Sequence, residues 1–241
     1  MLYLSPDNFR MSRYLCWMIF LISVCSCSSS GDPAPSLAGA DYFPLEIGRF
    51  TEYSVTETEY SVNSAPVTRT YEVRQEIVDT IRNQSGGITY LIYRYKRENQ
   101  TGGWEYTTTW SARKDINRIV IQEGNIPFIK ISLPVRIGLM WNGNALNGFP
   151  EDSYEMAGVD AADTLYDGTI VQTLQVIQEE FDDLVVGERD IRHEKYGRNI
   201  GLLEREIILL DLCPLDNCPN QEIIESGIEY HETITGYGKV D

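Results

Sequence analysis

From Phe50 to Arg113 the chain alternates runs rich in Thr, Tyr, Val and Ile with short clusters of Gly, Asn, Ser and Pro. Phe50 to Val62 is followed by the turn Asn63-Ser64-Ala65-Pro66. Val67 to Ile81 is followed by Asn83 to Gly87, and Ile88 to Glu98 by Asn99 to Gly103. Trp104 to Arg113 closes the series. β-Branched and aromatic side chains fit a pleated surface, and short Gly/Asn/Pro breaks between them favour hairpins. No run alternates with a helix-period segment, which disfavours a parallel α/β sheet.

The pattern continues downstream. Ile116 to Gln122 and Ile126 to Leu133 form a further pair about Gly124-Asn125. Pro127 and Pro134 lack an amide proton and belong at strand starts, edges or ends. Tyr42 to Arg49 reads as an entry loop packed on the core. Phe149 to Gly168 reads as an irregular loop holding one short strand near Tyr154 to Met156. Thr169 to Gln178 resumes β, Glu179 to Asp183 is an acidic bend, and Ile191 to Tyr196 follows. Leu202 to Leu212 is the most apolar run after the leader and is expected as a central strand, with Ile228 to Thr235 closing the fold. The expectation is all-β: a single antiparallel domain over 41–241 with about ten to twelve strands and little helix. One apolar face must be buried, so the sheet is expected as a curved, partly closed barrel or as a sandwich.

Ahead of this domain lies a segment of different character. Arg13 precedes the apolar run Leu15 to Val24, which small polar residues end at Ser26 to Ser30. A bilayer span needs about 20 apolar residues, and this run is roughly half that. The pattern is that of a secretion signal, with Met1 and Met11 as alternative starts. Val24-Cys25-Ser26-Cys27 resembles the lipobox of bacterial lipoprotein signals. The resemblance implies removal of 1–26 and acylation of Cys27. Residues 27–40 then form the lipidated cysteine and a flexible Ser/Gly/Pro tether. Lipobox, tether and one acidic β domain together resemble all-β envelope lipoproteins of Gram-negative bacteria. The location implied is the cell envelope, with the outer membrane as the working expectation.

The chain carries 36 acidic against 20 basic residues, a formal charge of −16. Such a surface repels phosphate backbones, so no nucleic-acid partner is expected, and no basic patch is available to hold a membrane. The expected partners are the membrane, through N-terminal acyl chains at Cys27, and an envelope protein or a glycan. Outside the leader only Cys213 and Cys218 remain, in DLCPLDNCP. In an oxidising compartment they are expected to form a disulfide.

Signatures of familiar chemistries are missing. There is no HExxH, GxSxG, phosphate-loop or dinucleotide-binding pattern. His193 and His231 stand far apart in sequence, each in an expected strand. Asp160, Asp163 and Asp167 lie close together but lack the alternating spacing of a calcium loop. No catalytic residue, cofactor or metal is therefore expected. Two Asp-Thr-aliphatic triplets, Asp79-Thr80-Ile81 and Asp163-Thr164-Leu165, resemble a short O-glycosylation sequon. Trp104, Tyr106 and Trp110 share one parity of a strand, and Trp141 reads as an apolar anchor beside a tight turn. The favoured function is a lipid-anchored, non-catalytic binding or structural domain. The alternative is a sugar- or lipid-binding lipoprotein whose concave sheet is lined by Trp104, Trp110, Trp141 and Tyr93. A second alternative is an envelope hydrolase.

Overall fold

The computed structural model describes residues 38–82, 86–98, 101–218 and 222–240. The leader, Cys27 and the tether as far as residue 37 lie outside the described residues.

Among the described residues twelve strands form one sheet: β1 (Arg49–Tyr60), β2 (Val67–Arg82), β3 (Ile88–Arg97), β4 (Glu105–Asp115), β5 (Arg118–Glu123), β6 (Ile126–Ser132), β7 (Met140–Asn142), β8 (Ser153–Thr164), β9 (Ile170–Asp183), β10 (Glu188–Gly197), β11 (Gly201–Leu212) and β12 (Ile224–Lys239). The sheet order is β6-β5-β4-β3-β2-β1-β12-β11-β10-β9-β8-β7. Consecutive strands pair antiparallel except β6 and β7, and β1 pairs with β12. Of the two architectures expected, the single curved sheet is the one formed, a nearly closed up-and-down barrel. Leu202 to Leu212 lies in the body of the sheet, as its apolar composition requires. Pro127 sits in the edge strand β6, where its missing donor breaks no ladder.

The remaining gap lies between β6 and β7. Ile129 N donates to Gly143 O at 2.9 Å, and Trp141 Nε1 donates to Ile129 O at 2.8 Å. Trp141 also packs edge-on against Tyr154, centroids 5.9 Å apart. A Cβ at Gly143 would lie 2.3 Å from the Tyr154 ring, so only glycine lets the backbone close here.

Alternate residues of each strand face the inside and the water. Inward positions such as Tyr53, Val55, Val73, Leu174, Val176 and Ile234 form the main core, and Ile77, Ile92, Ala112 and Ile121 form a smaller one. Outward positions carry paired charges, such as Arg74 on Glu52 at 2.9 Å and Lys195 on Glu204 at 2.7 Å. The outer wall thus carries ion pairs alongside exposed apolar residues such as Tyr106 and Ile170. Among the described residues no helix is long and apolar enough to cross a membrane.

The entry segment plugs one end. Tyr42 is fully buried at the end of a 3-10 turn, Ala40–Tyr42. Its hydroxyl donates to Asp160 at 2.7 Å, Arg198 holds Asp41 at 2.6 Å, and Lys114 Nζ donates to Ala40 O at 2.7 Å. Burial and the Asp160 contact push the Tyr42 hydroxyl up to about 12. Gly39 takes φ 90°, and a side chain there would meet Val135 at 2.4 Å.

Two sequence expectations change. Ser153–Thr164 is a full twelve-residue strand rather than a loop with a short strand. Register shifts at Met156/Gly158 and Val159/Ala161 break its alternation, and Asp160 takes φ 58°. Those interruptions erase the period that sequence reading relies on. Glu179 to Asp183 is not a bend but the end of β9, where Glu179 lies opposite Arg192 and Asp182 opposite Arg189. The Arg189–Asp182 ion pair, 3.0 Å, lets an acidic run persist as strand.

Candidate functional site

The four aromatic residues expected to line a concave face do not share one. Trp104, Tyr106 and Trp110 have the same parity in sequence, but a bulge lies between them. Tyr95 pairs with Tyr106 and Arg94 with Thr108, so Thr107 is the extra residue. One extra residue reverses the faces beyond it. Tyr106 therefore lies outside, 57% exposed, in edge contact with Tyr93 and Tyr95. Trp110 lies inside. Trp104 stacks under Arg97 at 4.2 Å, beside the ion pair of Arg97 with Glu72. Trp141 closes the seam between β6 and β7, consistent with its expected role as an apolar anchor.

Twelve strands enclose a lumen wider than the eight whose interior side chains alone just fill. This chain fills its lumen with long charged and aromatic side chains. Glu194 is 2% exposed; its Oε1 accepts from Lys130 Nζ at 2.8 Å and Arg205 Nε at 2.9 Å, and its Oε2 from the Tyr196 hydroxyl at 2.5 Å. Glu123 lies 3.1 Å from both Lys130 and Arg205. Glu232, 1% exposed, lies 3.6 Å from Arg94 and 3.8 Å from Arg205. The Arg94 guanidinium stacks on Trp110 at 3.8 Å, with Arg205 5.7 Å from the same ring. Three carboxylates thus meet three cations, and the interior carries no net charge from this group.

Burial alone would raise the Glu194 carboxyl, but Lys130 and Arg205 outweigh it and hold it at about 2. The same balance lowers Glu123. Burial raises the Tyr196 hydroxyl, and the neighbouring Glu194 raises it further. At neutral pH Glu194 is fully ionised and both its oxygens are engaged. It is a structural anion rather than a proton-transfer group.

At the plugged end a cavity of 40 Å³ lies between the entry segment and the inner faces of β1, β2, β3 and β11. Phe43, Ile77, Ile92 and Leu202 line it, with Arg49, Thr51, Tyr53 and Gln75 as its polar side chains. A smaller gap of 10 Å³ continues from Gln75 towards Trp110 and Arg205.

The two histidines meet on the outer wall, which their sequence separation did not reveal. Glu206 of β11 lies between them in register, 3.5 Å from His193 Nδ1 and 3.4 Å from His231 Nδ1. Glu180 approaches His193 Nε2 at 3.2 Å. No group of three or more His, Cys, Asp or Glu suited to a metal ion occurs among the described residues. The three clustered aspartates separate: Asp160 serves Tyr42 and Arg198, Asp163 holds Lys195 at 3.1 Å, and Asp167 accepts from Thr169 N. In both Asp-Thr-aliphatic triplets the aspartate accepts from the amide of the following threonine, Asp79 from Thr80 and Asp163 from Thr164. Cys213 and Cys218 form the expected disulfide, and Leu215 N donates to Leu184 O beside it.

Sequence reading missed the interior ion group entirely. One signal was present. Lys130 interrupts Ile129 and Ile131, a lone cation inside a short apolar strand. It stands at a β5–β6 bulge, since Val120 pairs with Ile129 and Ile119 with Ile131.

No family model matches the chain, and no curated protein matches it at significant similarity.

Proposed function

We propose that this chain is a lipid-anchored protein of the cell envelope whose barrel is a non-catalytic binding or structural domain. The observation that carries the reading is Val24-Cys25-Ser26-Cys27 at the end of a short apolar run. A barrel with a charged outer wall and a filled interior needs an attachment of its own to stay at a membrane, and acyl chains on Cys27 supply one. The partner expected is an envelope protein or a glycan. We prefer this reading to an aromatic-lined ligand carrier because Trp104, Trp110, Trp141 and Tyr93 face separate surroundings. The hydrolase alternative gains no support from Glu194, whose carboxylate is held ionised by Lys130 and Arg205 with both oxygens engaged.

Intact-mass and N-terminal peptide analysis of the membrane fraction tests the proposal. The expected result is a chain beginning at Cys27 and carrying acyl mass that Cys27→Ala abolishes. A wild-type chain with residues 1–26 retained, or with an unmodified Cys27, refutes it.

A further inference from the structure

We propose that the 40 Å³ cavity at the plugged end binds a small carboxylate with a short apolar tail, its carboxylate taken by Arg49 Nε and Gln75 Nε2. The inference does not depend on acylation of Cys27 and goes beyond the reading above.

The argument begins with two donors. Arg49 opens β1, and Gln75 lies on β2 opposite Thr51, so the two project from adjacent strands as diagonal neighbours. Arg49 Nε and Gln75 Nε2 are both hidden from solvent, and neither has an acceptor among the described residues. Buried donors are nearly always satisfied, so two that line one cavity mark a place for acceptor oxygens. Among the described residues Arg49 also lacks a contact ion pair, although its charge adds to the Lys239 hydrogen bond that lowers the Glu46 pKa. Its Nη2 donates to Asn199 O at 2.5 Å, which fixes the guanidinium, but among the described residues no carboxylate lies within ion-pair reach of it. Arg74 and Arg97 on the outer wall, and Arg94 and Arg205 deeper inside, each have one. The acids nearest this end are already engaged: Arg198 holds Asp41, and Lys239 holds Glu46 at 2.5 Å. Burial lowers the Lys114 pKa, and the positive charge of Arg49 lowers it further.

The other walls decide the rest of the ligand. Phe43, Pro44, Ile77, Ile92, Leu202 and Tyr237 present carbon. Ordered water needs two to four polar partners, which Arg49, Gln75, Thr51 and Tyr53 also supply, so water is the competing occupant. A planar carboxylate matches two donors, and a few methylenes match the carbon. The volume corresponds to roughly three water-sized positions, which suits acetate to butyrate rather than a long acyl chain.

The test uses the full chain in phospholipid nanodiscs, with methyl-labelled isoleucine observed by NMR. Acetate, propionate, butyrate and the uncharged isostere butyramide are titrated separately. The expected result is saturable shifts at Ile77 and Ile92, affinity rising from acetate to butyrate, and butyramide about 10-fold weaker or more. Arg49→Gln and Gln75→Leu should each weaken butyrate, Arg49→Gln by about 10-fold or more. Absence of saturable shifts with every carboxylate overturns the proposal and leaves a cavity holding water alone. Equal binding of butyramide, or unchanged binding in folded Arg49→Gln, overturns it too. If Arg49→Gln does not fold, the wild-type comparison of butyrate with butyramide decides.

Discussion

Replacing Glu194 by Gln removes one charge from the centre of the barrel and changes almost no volume. It leaves Arg94, Lys130 and Arg205 facing only Glu123 and Glu232. The magnitude follows from the carboxyl itself. Its pKa falls from 4.5 to about 2 in the fold, which stabilises the ionised folded state by about 3 kcal/mol at neutral pH. The general cost of breaking a buried pair, about 3–5 kcal/mol, agrees. The sign of the pH dependence is fixed as well. A carboxyl whose folded pKa is depressed contributes fully above its unfolded value and loses that contribution as pH falls towards the folded value. The wild-type advantage over Glu194→Gln should therefore be about 3 kcal/mol near pH 7, shrink to about 1.5 kcal/mol near pH 3, and almost vanish below about pH 2. Urea titrations followed by tryptophan fluorescence measure it, with Trp110, stacked on Arg94, as a reporter of the interior. A difference below about 1 kcal/mol near pH 7, or one that stays constant down to about pH 3, refutes the argument.

Further outcomes follow from local geometry. Gly143→Ala places a methyl group against the Tyr154 ring and should cost about 1–3 kcal/mol by thermal or urea unfolding, with loss of amide protection at Ile129 next to the seam. The Cys213→Ser, Cys218→Ser double variant opens a six-residue ring and should cost about 2 kcal/mol, a loss that reducing agent reproduces in the wild type. Cys27→Ala should abolish acyl mass at the N-terminus, and butyrate should bind the Arg49–Gln75 cavity more tightly than butyramide.

How much of the barrel could be read in the sequence varies from strand to strand. β1 to β4 were legible because each alternates regularly between turn clusters, and period 2 is a local property. β8 was not, because two register shifts and the left-handed Asp160 break its alternation within twelve residues. The end of β9 was not, because an acidic run stays extended only when arginines of β10 lie opposite. Burial of Tyr42 at the entry to the domain was foreseeable from its place beside Phe43, Pro44 and Leu45. Its hydrogen bond to Asp160 across the barrel was not.

The sequence by itself determined the class of fold, the disulfide and the acidic excess of the chain. These depend on composition, near-neighbour spacing and net charge, all of which are local or additive. Only the tertiary structure decided that the first strand pairs with the last, that Trp110 turns inward while Tyr106 turns out, and that six charged residues from distant strands neutralise one another. It alone placed Arg49 and Gln75 over one cavity. The reason is physical: one bulge reverses every later side chain on a strand, and a charge becomes tolerable inside only when its partner arrives from elsewhere in the chain.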